Sequence, residues 1–242
     1  MTILESIKLH NRTLSILLDP EKMSLDDVSA FAKALSSNTS HLTKSLRLDQ
    51  ILLLVGGSTM HDVSIDKWLT HLKQVVDLQI VLFPGSASQV SEQAHGLLFL
   101  NLISGRNPEF LIGQQVKAAA QLRNTTLEII PTAYLLLDGG HESAVSRVSQ
   151  TLPMSQVDHM AISNTALAGQ LMGNQLIYLE AGSGARFPVS PQIVSKVSDI
   201  LSIPVIVGGG LKTIEDINNR FDAGASMVVV GTAWENDLNW KG

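Results

Sequence analysis

Residues 204–232, PVIVGGGLKTIEDINNRFDAGASMVVVGT, contain one complete strand–helix–strand repeat. Two short apolar runs, at residues 205–207 and 227–230, enclose a helical pattern at residues 213–221. Strands that are apolar on both faces are typical of a parallel sheet covered by helices. Glycine follows each run and lets a ligand approach the backbone closely.

The same alternation extends through the whole chain. Further apolar runs predict strands at residues 14–18, 51–55, 80–83, 97–100, 127–137 and 176–179, and helical patterns lie at residues 25–35, 67–76, 108–122 and 191–201. Alternating strands and helices define the α/β class. Eight repeats spread over 242 residues predict a single domain, residues 1–242, folded as a (β/α)8 TIM-type barrel. An open doubly wound sheet is the competing architecture.

Three local features qualify this regular pattern. The stretch between Phe83 and Leu97 contains Pro84 and Gly85 and barely holds a crossover, which needs about a dozen residues. We therefore expect a short or replaced third helix. Residues 36–47 are polar and predict a surface loop. The chain ends soon after the last strand, so the final helix should be short.

The composition excludes several classes of protein. The net charge of −5 argues against a nucleic-acid surface, and the absence of cysteine excludes disulfides and thiolate metal sites. Hydrophobic residues make up 45% of the chain, but no apolar run reaches the roughly 18 residues of a membrane span. The N-terminus lacks a signal-peptide pattern. We expect a cytoplasmic protein without a transmembrane segment that can contact a membrane transiently.

The ends of the first four strands offer candidate ligands for a metal or a phosphate. Asp19 follows the first strand and suits Mg²⁺, although it also fits a turn that caps a helix. Gly57 and Ser58 follow the second strand, where they form either a ligand contact or a tight turn. Arg106 follows the fourth strand, where it either holds a diphosphate or precedes an ordinary helix start.

The ends of the last three strands carry the clearest chemical signal. Glu180 ends the sixth strand and can act as a general base, or it is a buried structural carboxylate. The Gly-Ser-Gly turn that follows offers N–H groups and a hydroxyl to an anion. The glycines after the seventh and eighth strands match the phosphate site of many α/β barrels.

Six motifs in this order resemble the geranylgeranylglyceryl phosphate synthase family, which is related to bacterial heptaprenylglyceryl phosphate synthases. The resemblance covers nearly the whole chain. The motifs are Leu18-Asp19-Pro20-Glu21-Lys22, Gly56-Gly57-Ser58, Leu82-Phe83-Pro84-Gly85-Ser86, Ser104-Gly105-Arg106-Asn107-Pro108, Tyr178-Leu179-Glu180-Ala181-Gly182-Ser183-Gly184-Ala185 and Val207-Gly208-Gly209-Gly210. Two positions depart from the family pattern, namely Ala133 in place of glycine and Thr232 in place of asparagine.

The resemblance implies a Mg²⁺-dependent prenyltransferase that joins sn-glycerol 1-phosphate to a polyprenyl diphosphate, with geranylgeranyl diphosphate as the expected donor. It implies a metal at Asp19 and Ser58, and the residues themselves suggest Glu180 as the base and Arg106 as a diphosphate ligand. It also implies a homo-oligomer, either a dimer or a hexamer. The implied substrate-binding residues are Tyr178, Leu179, Glu180, Ala181, Gly182, Ser183, Gly184, Gly208, Gly209, Gly210, Gly231 and Thr232.

Two rival functions and one structural question stay open at this point. A phosphosugar isomerase or epimerase would need a second acid or base facing Glu180, for which Asp138 or His159 are candidates. A non-catalytic phosphate-binding barrel is the other rival. Three tryptophans indicate either a subunit interface or the core, namely Trp68, Trp234 and Trp240.

Overall fold

A closed parallel barrel forms the centre of the computed structural model, which describes residues 1–57 and 64–242. Each strand pairs with the next one along the chain, and the last strand pairs with the first. This closure confirms the barrel prediction and excludes the open sheet. The strands are β1 Thr13–Leu18, β2 Gln50–Val55, β3 Ile80–Leu82, β4 Gly96–Leu102, β5 Glu128–Leu136, β6 Leu176–Glu180, β7 Val205–Gly208 and β8 Met227–Val230.

The described ranges contain nine α-helices. They are α1 Ile3–Leu9, α2 Leu25–Leu46, α3 Ile65–Val75, α4 Gln114–Leu122, α5 Ala144–Ser149, α6 His159–Leu171, α7 Pro191–Ser198, α8 Ile214–Asp222 and α9 Thr232–Asn236, with a π-helical turn at Glu109–Gly113 before α4. Side chains of Ser24, Ser143, Ser190 and Thr213 cap four of them by accepting a backbone N–H. None of these helices combines the length and the apolar character that crossing a membrane requires.

No helix connects β3 to β4, as the short spacing predicted. Residues 83–95 form a loop instead. The buried side chain of Gln89 holds this loop, because its amide oxygen accepts the Gly85 N–H at 2.9 Å and its amide nitrogen donates to the Gly57 carbonyl at 3.0 Å. The flank of the barrel beside β4 is therefore left uncovered by a crossover helix.

The prediction of a surface loop at residues 36–47 is wrong, since α2 continues to Leu46. Leu42 and Leu46 are fully buried and lie one helical turn apart on the face that packs against the barrel. Asn38 is buried as well, and its amide donates to the carbonyls of Asn239 and Trp240 at 3.3 and 3.2 Å. Most of the other polar residues of this segment lie on the solvent-exposed face of the helix.

The three tryptophans belong to the core. Trp68 is 3% exposed and its indole donates to the Met23 carbonyl, while Trp240 is 8% exposed and donates to the Lys212 carbonyl. Trp234 is fully buried and packs edge-on against Phe31 at 5.3 Å. It belongs to α9, which has only five residues and confirms the expectation of a short final helix.

We expect Leu42→Ala to lower the free energy of unfolding by about 2–5 kcal/mol, because it leaves a cavity between α2 and the barrel. The matched variant Lys44→Ala, on the exposed face of the same helical turn, should change it by less than about 0.5 kcal/mol. Urea denaturation of both variants measures the difference. Equal, small effects would mean that this segment does not pack as a helix.

Candidate active site

Two cavities meet at the carboxyl end of the barrel. A polar cavity of about 310 Å³ lies above the strand ends, and an apolar cavity of about 130 Å³ lies beside β4, α4 and α5, where the third crossover helix is missing. Four residues line both cavities, namely Gly57, Phe83, Tyr134 and Val145. The molecule thus offers a polar basin with an apolar extension, which suits an amphipathic ligand.

The polar cavity brings together most of the residues that the sequence predicted. Its lining includes Asp19, Tyr178, Glu180, Gly182, Ser183, Gly209, Gly210, Gly231 and Thr232. Tyr178 and Glu180 face the barrel interior because side chains alternate along a strand, and Leu179 between them packs outward against the helices. Ser58 lies outside the described residues.

Four other predicted residues border the cavity or support it without lining it. Leu179 is buried in the outer core, and Ala181 donates its N–H to the Gly208 carbonyl at 3.1 Å, which joins the ends of β6 and β7. Gly184 closes the Gly-Ser-Gly turn with a φ of +73°, a left-handed conformation that suits glycine.

Glu180 is the most strongly perturbed carboxylate of the site. Its side chain ends β6 with the residue only 6% exposed, and burial raises its pKa to about 7. The neighbouring Tyr178 hydroxyl and the Gly182 N–H, which donates to Oε1 at 2.7 Å, favour the charged form and limit the rise in pKa. A carboxylate with a pKa near neutrality is suited to accept a proton at physiological pH.

The glycines after β7 are required by the space that Glu180 occupies. A Cβ on Gly208 would lie 2.6 Å from Glu180 Oε2, and a Cβ on Gly209 would lie 2.5 Å from Oε1. Gly209 and Gly210 also have φ values of +91° and +74°, which side chains rarely tolerate. Among the described residues, the N–H groups of these two glycines have no hydrogen-bond partner. They therefore form a concave pair of donors suited to an anion.

The turn after β6 and the end of β8 complete this group of donors. The Ser183 hydroxyl lies 3.0 Å from the Thr232 hydroxyl, so the two loops meet at the rim of the cavity. Thr232 keeps a hydroxyl where the family pattern has asparagine. Whichever hydroxyl accepts the bond between them can donate its own proton to a phosphate oxygen placed near the glycine turn.

A loop that the sequence analysis missed holds the Gly-Ser-Gly turn from behind. The Gly139 carbonyl accepts the N–H groups of Arg186 and Phe187 at 2.8 and 3.1 Å. His141 Nε2 donates to the Ser183 carbonyl at 3.2 Å. A Cβ on Gly139 would lie 2.1 Å from the Ala181 carbonyl oxygen, so only glycine fits. The Gly139-Gly140 doublet was the one signal in the sequence for this support.

Asp19 provides a carboxylate at the opposite side of the polar cavity. Its oxygens lie 2.8 Å from the position of a Cβ on Gly57, and Oδ1 accepts the Glu21 N–H at 3.0 Å. Burial raises the pKa of Asp19, which the Glu21 N–H and the Lys22 ammonium oppose. No cluster of three or more His, Asp or Glu forms a metal cage in residues 1–57 and 64–242. One carboxylate beside a glycine turn still fits Mg²⁺, which keeps several waters and binds substrate phosphates.

Three aromatic rings pack together in the walls of the cavities. The centroids of Tyr134 and Tyr178, which pair in register across β5 and β6, are 5.3 Å apart, and Phe83 lies 5.4 Å from Tyr178. The buried Tyr178 hydroxyl has no aligned hydrogen-bond partner within the described part of the chain, although it lies beside Glu180. It is available to a polar ligand.

Some candidates from the sequence do not reach the site. Arg106 is exposed, donates to the carbonyls of Ile103 and Gly105, and lines neither cavity. Asp138 and His159, the proposed partners of Glu180 in an isomerase, are also absent from the lining. Asp138 instead accepts the Gly140 N–H at 2.8 Å. In the lining, two other cations occur, Arg147 and Lys212, which the sequence analysis did not select.

The raised pKa of Glu180 predicts a pH-dependent cost to folding. The neutral form is favoured in the folded state, so the contribution of this carboxyl group to stability is present below its ordinary pKa and is lost as the pH rises through about 7. Glu180→Gln removes the titration. The melting temperature of the variant relative to wild type should therefore increase from about pH 5 to about pH 8.

Scanning calorimetry across this pH range measures the effect. The control Glu142→Gln changes an exposed carboxylate outside the cavity and should show a constant difference from wild type. A difference for Glu180→Gln that stays constant or shrinks with rising pH would contradict the buried, neutral-favouring environment.

Comparison with known proteins identifies relatives along nearly the whole chain. The family model described as the PcrB family matches residues 9–241. The geranylgeranylglyceryl phosphate synthase of Zunongwangia profunda is 45% identical, with 97% of this chain and 95% of that protein aligned. The synthase of the same name from Thermococcus kodakarensis is 37% identical over 96% of this chain and 86% of that protein.

A solved structure agrees with these sequence relatives. The (S)-3-O-geranylgeranylglyceryl phosphate synthase of Thermoplasma acidophilum, crystallised with its substrate sn-glycerol-1-phosphate, superimposes with a TM-score of 0.85 and is 33% identical. The match covers 100% of this chain and 94% of that one. A family match over almost the full length, close relatives and a shared barrel lead to one conclusion: this chain belongs to the PcrB family, together with the geranylgeranylglyceryl phosphate synthases.

Proposed function

We propose that this protein is a prenyltransferase that joins sn-glycerol 1-phosphate to a polyprenyl diphosphate and releases diphosphate. The observation that carries the proposal is the meeting of two cavities, because the reaction needs a site for a small phosphate beside a site for a long apolar chain. Family membership and the relatives' names support the same function. The donor proposed first is geranylgeranyl diphosphate.

The polar cavity accounts for the acceptor substrate. The N–H groups of Gly209 and Gly210, which have no partner among the described residues, and the hydroxyls of Ser183 and Thr232 would bind the phosphate. A phosphate held there places the glycerol carbons toward Glu180, whose carboxylate lies against the same glycine turn. Lys212, the third residue after Gly209, adds a positive charge to this side of the cavity.

The chemical step follows from this arrangement. The hydroxyl oxygen of glycerol phosphate attacks C1 of the prenyl chain, the new C–O bond forms and the bond from C1 to the diphosphate oxygen breaks. The hydroxyl proton passes to the Glu180 carboxylate, and the electron pair of the broken bond leaves with the diphosphate. Glu180 can hold the proton because burial raises its pKa to about 7.

Asp19, with Ser58, is the proposed ligand of a Mg²⁺ ion. When bound, Mg²⁺ supplies positive charge that stabilises the departing diphosphate. Asp19 and Gly57 lie next to the junction with the apolar cavity, where the diphosphate end of the donor must sit. The Lys22 ammonium is 3.8 Å from Asp19 Oδ2 and 3.0 Å from Glu235. Its positive charge favours the charged form of the Asp19 carboxylate.

The apolar cavity is the proposed site of the prenyl tail. Its walls include Phe83, Leu97, Phe99 and Leu102, with α4 and α5 on the outer side. Burial of a C20 chain contributes on the order of 10 kcal/mol at about 0.8 kcal/mol per methylene group, before ordering costs. The missing third crossover helix leaves the opening through which such a chain can extend.

We also propose that the protein is a homo-oligomer in the cytoplasm. An exposed apolar surface at the start of α6 supports self-association. Val157 and Met160 are 87% and 74% exposed, and the neighbouring Phe187 is 65% exposed. The Gln156 side chain, which donates to the Phe187 carbonyl at 3.2 Å, ties the two segments together. Light scattering of the purified protein tests the oligomer.

Incubation with labelled sn-glycerol 1-phosphate, Mg²⁺ and a panel of prenyl diphosphates tests the function. We expect a lipid-soluble labelled product and release of diphosphate. The prenyl diphosphate with the highest kcat/KM is the preferred donor. Binding of glycerol phosphate without product would favour a non-catalytic barrel. Interconversion of phosphosugars without prenyl transfer would favour the isomerase or epimerase.

Glu180→Gln should lower kcat by about 10²–10⁴-fold, because glutamine keeps the size of the side chain but cannot accept the proton. The KM for glycerol phosphate should change little, since the glycine turn that binds the phosphate stays intact. In the wild type, kcat/KM should fall as the pH drops below about 7, the pKa of Glu180. Steady-state kinetics between about pH 6 and pH 9 measure both effects. A variant that keeps a third of the wild-type kcat would rule out the base role and leave an orienting one.

Asp19→Asn should lower turnover at limiting Mg²⁺ by at least about 100-fold, because the metal's contribution of several kcal/mol is lost. The affinity for Mn²⁺, followed by its paramagnetic signal, should fall in parallel, which gives a readout independent of turnover. Asp199→Asn, at an exposed carboxylate outside both cavities, is the control. Unchanged activity and Mn²⁺ affinity in Asp19→Asn would remove the metal from this position.

A further inference from the structure

Arg147 is a cation at the edge of the polar cavity. It lies on α5, is exposed, and lines the cavity together with Ser143, Ala144 and Val145. Among the residues that the structure describes, no carboxylate or carbonyl accepts a hydrogen bond from its guanidinium. An arginine that faces a cavity and has no internal partner is available to an anionic ligand.

The position of α5 places Arg147 at the junction of the two cavities. Val145 lines both cavities, and Val148 and Ser149 line the apolar one. Arg147 therefore stands between two residues that border the path of the prenyl tail. A charged group on the first atoms of that tail would lie within reach of this side chain rather than deep among the apolar walls.

The described lining of the polar cavity has no excess of basic residues. Its lining contains four acidic residues, Asp19, Glu21, Glu180 and Glu235, against three basic ones. Both substrates of the proposed reaction are anions. Binding them together in a cavity whose described lining has no excess of positive charge requires cations that are not already engaged.

The two other basic residues of the lining, Lys22 and Lys212, have other contacts or lie at another part of the cavity. Lys22 contacts both carboxylate oxygens of Glu235 at 3.0 Å and lies 3.8 Å from Asp19. Lys212 follows the glycine turn after β7 and therefore lies on the side of the glycerol phosphate. Arg106, the candidate from the sequence, donates to two backbone carbonyls outside both cavities.

We propose that Arg147 binds the diphosphate of the prenyl donor, the role that the sequence analysis gave to Arg106. This inference rests on the proposed function. The planar guanidinium of Arg147 donates two parallel N–H bonds to diphosphate oxygens and holds C1 of the prenyl chain at the boundary between the cavities. The same contact stabilises the negative charge that gathers on the diphosphate as its bond to C1 breaks.

Arg147→Gln should raise the KM for geranylgeranyl diphosphate by about tenfold or more, since a hydrogen bond between charged groups is lost. The KM for glycerol phosphate should stay within about twofold, because its phosphate contacts the glycine turn. Arg147→Lys keeps the charge but not the fork and should fall between wild type and Arg147→Gln. Lys212→Gln should show the opposite split, with the larger rise in the KM for glycerol phosphate.

Titration calorimetry with inorganic diphosphate and Mg²⁺ gives a second readout that does not depend on turnover. Its affinity should fall in Arg147→Gln by the same factor as the rise in KM. Arg123→Gln, at an exposed arginine outside both cavities, is the matched control and should behave as wild type. Far-UV circular dichroism should be unchanged in the Arg147 variants, because no described residue forms a hydrogen bond or ion pair with the Arg147 guanidinium.

The outcomes separate this inference from the proposed function. Absence of prenyl transfer by the wild-type protein would overturn the function itself. Transfer by the wild type with an unchanged KM and diphosphate affinity in Arg147→Gln would overturn only the role of Arg147. A loss confined to glycerol phosphate, or a loss of diphosphate affinity in Arg106→Gln alone, would likewise assign the contact to another residue.

Discussion

The carboxylate of Glu180 occupies the space in which residues 208 and 209 would carry their Cβ atoms, and much of the site depends on this contact. Glycine at both positions lets the end of β7 lie directly against the end of β6. The same close packing buries Glu180, which raises its pKa. Gly209 and Gly210 follow in the left-handed conformation, so the perturbed carboxylate lies beside two N–H groups that have no partner among the described residues.

The second determinant of the site is the loop that replaces the crossover helix between β3 and β4. In a regular barrel, a helix would cover the outer face of β4 and fill the space where the apolar cavity lies. The loop is held by Gln89, which is bonded to Gly85 on one side and Gly57 on the other. The half of the barrel around β6 to β8 keeps the ordinary alternation of strands and helices, while the half beside β3 and β4 is open at the apolar cavity.

Much of the fold could be predicted from the sequence because strand signals in a parallel barrel are local. Buried strands are short apolar runs, and their ends pointed to Glu180, Asp19 and the glycine turns. The failures involve distant contacts. The second half of α2 looks polar in the sequence. Its buried Asn38 donates to carbonyls at the far end of the chain, a contact that the local sequence does not reveal. Likewise, nothing local distinguishes Arg147, which reaches the cavity, from Arg106, which is bound to its own loop. The position of Ser58 stays a prediction.

The support of the Gly-Ser-Gly turn by the loop after β5 bears on how barrels of this family can be recombined. Gly139 and His141 form hydrogen bonds with the backbone of residues 183–187, so the loops after β5 and β6 are held together as one unit. In a chimera of two relatives, an exchange of the sixth strand–helix repeat alone would separate the turn from its support. The smallest exchangeable piece in this part of the barrel is therefore a pair of adjacent repeats, inherited or transplanted together.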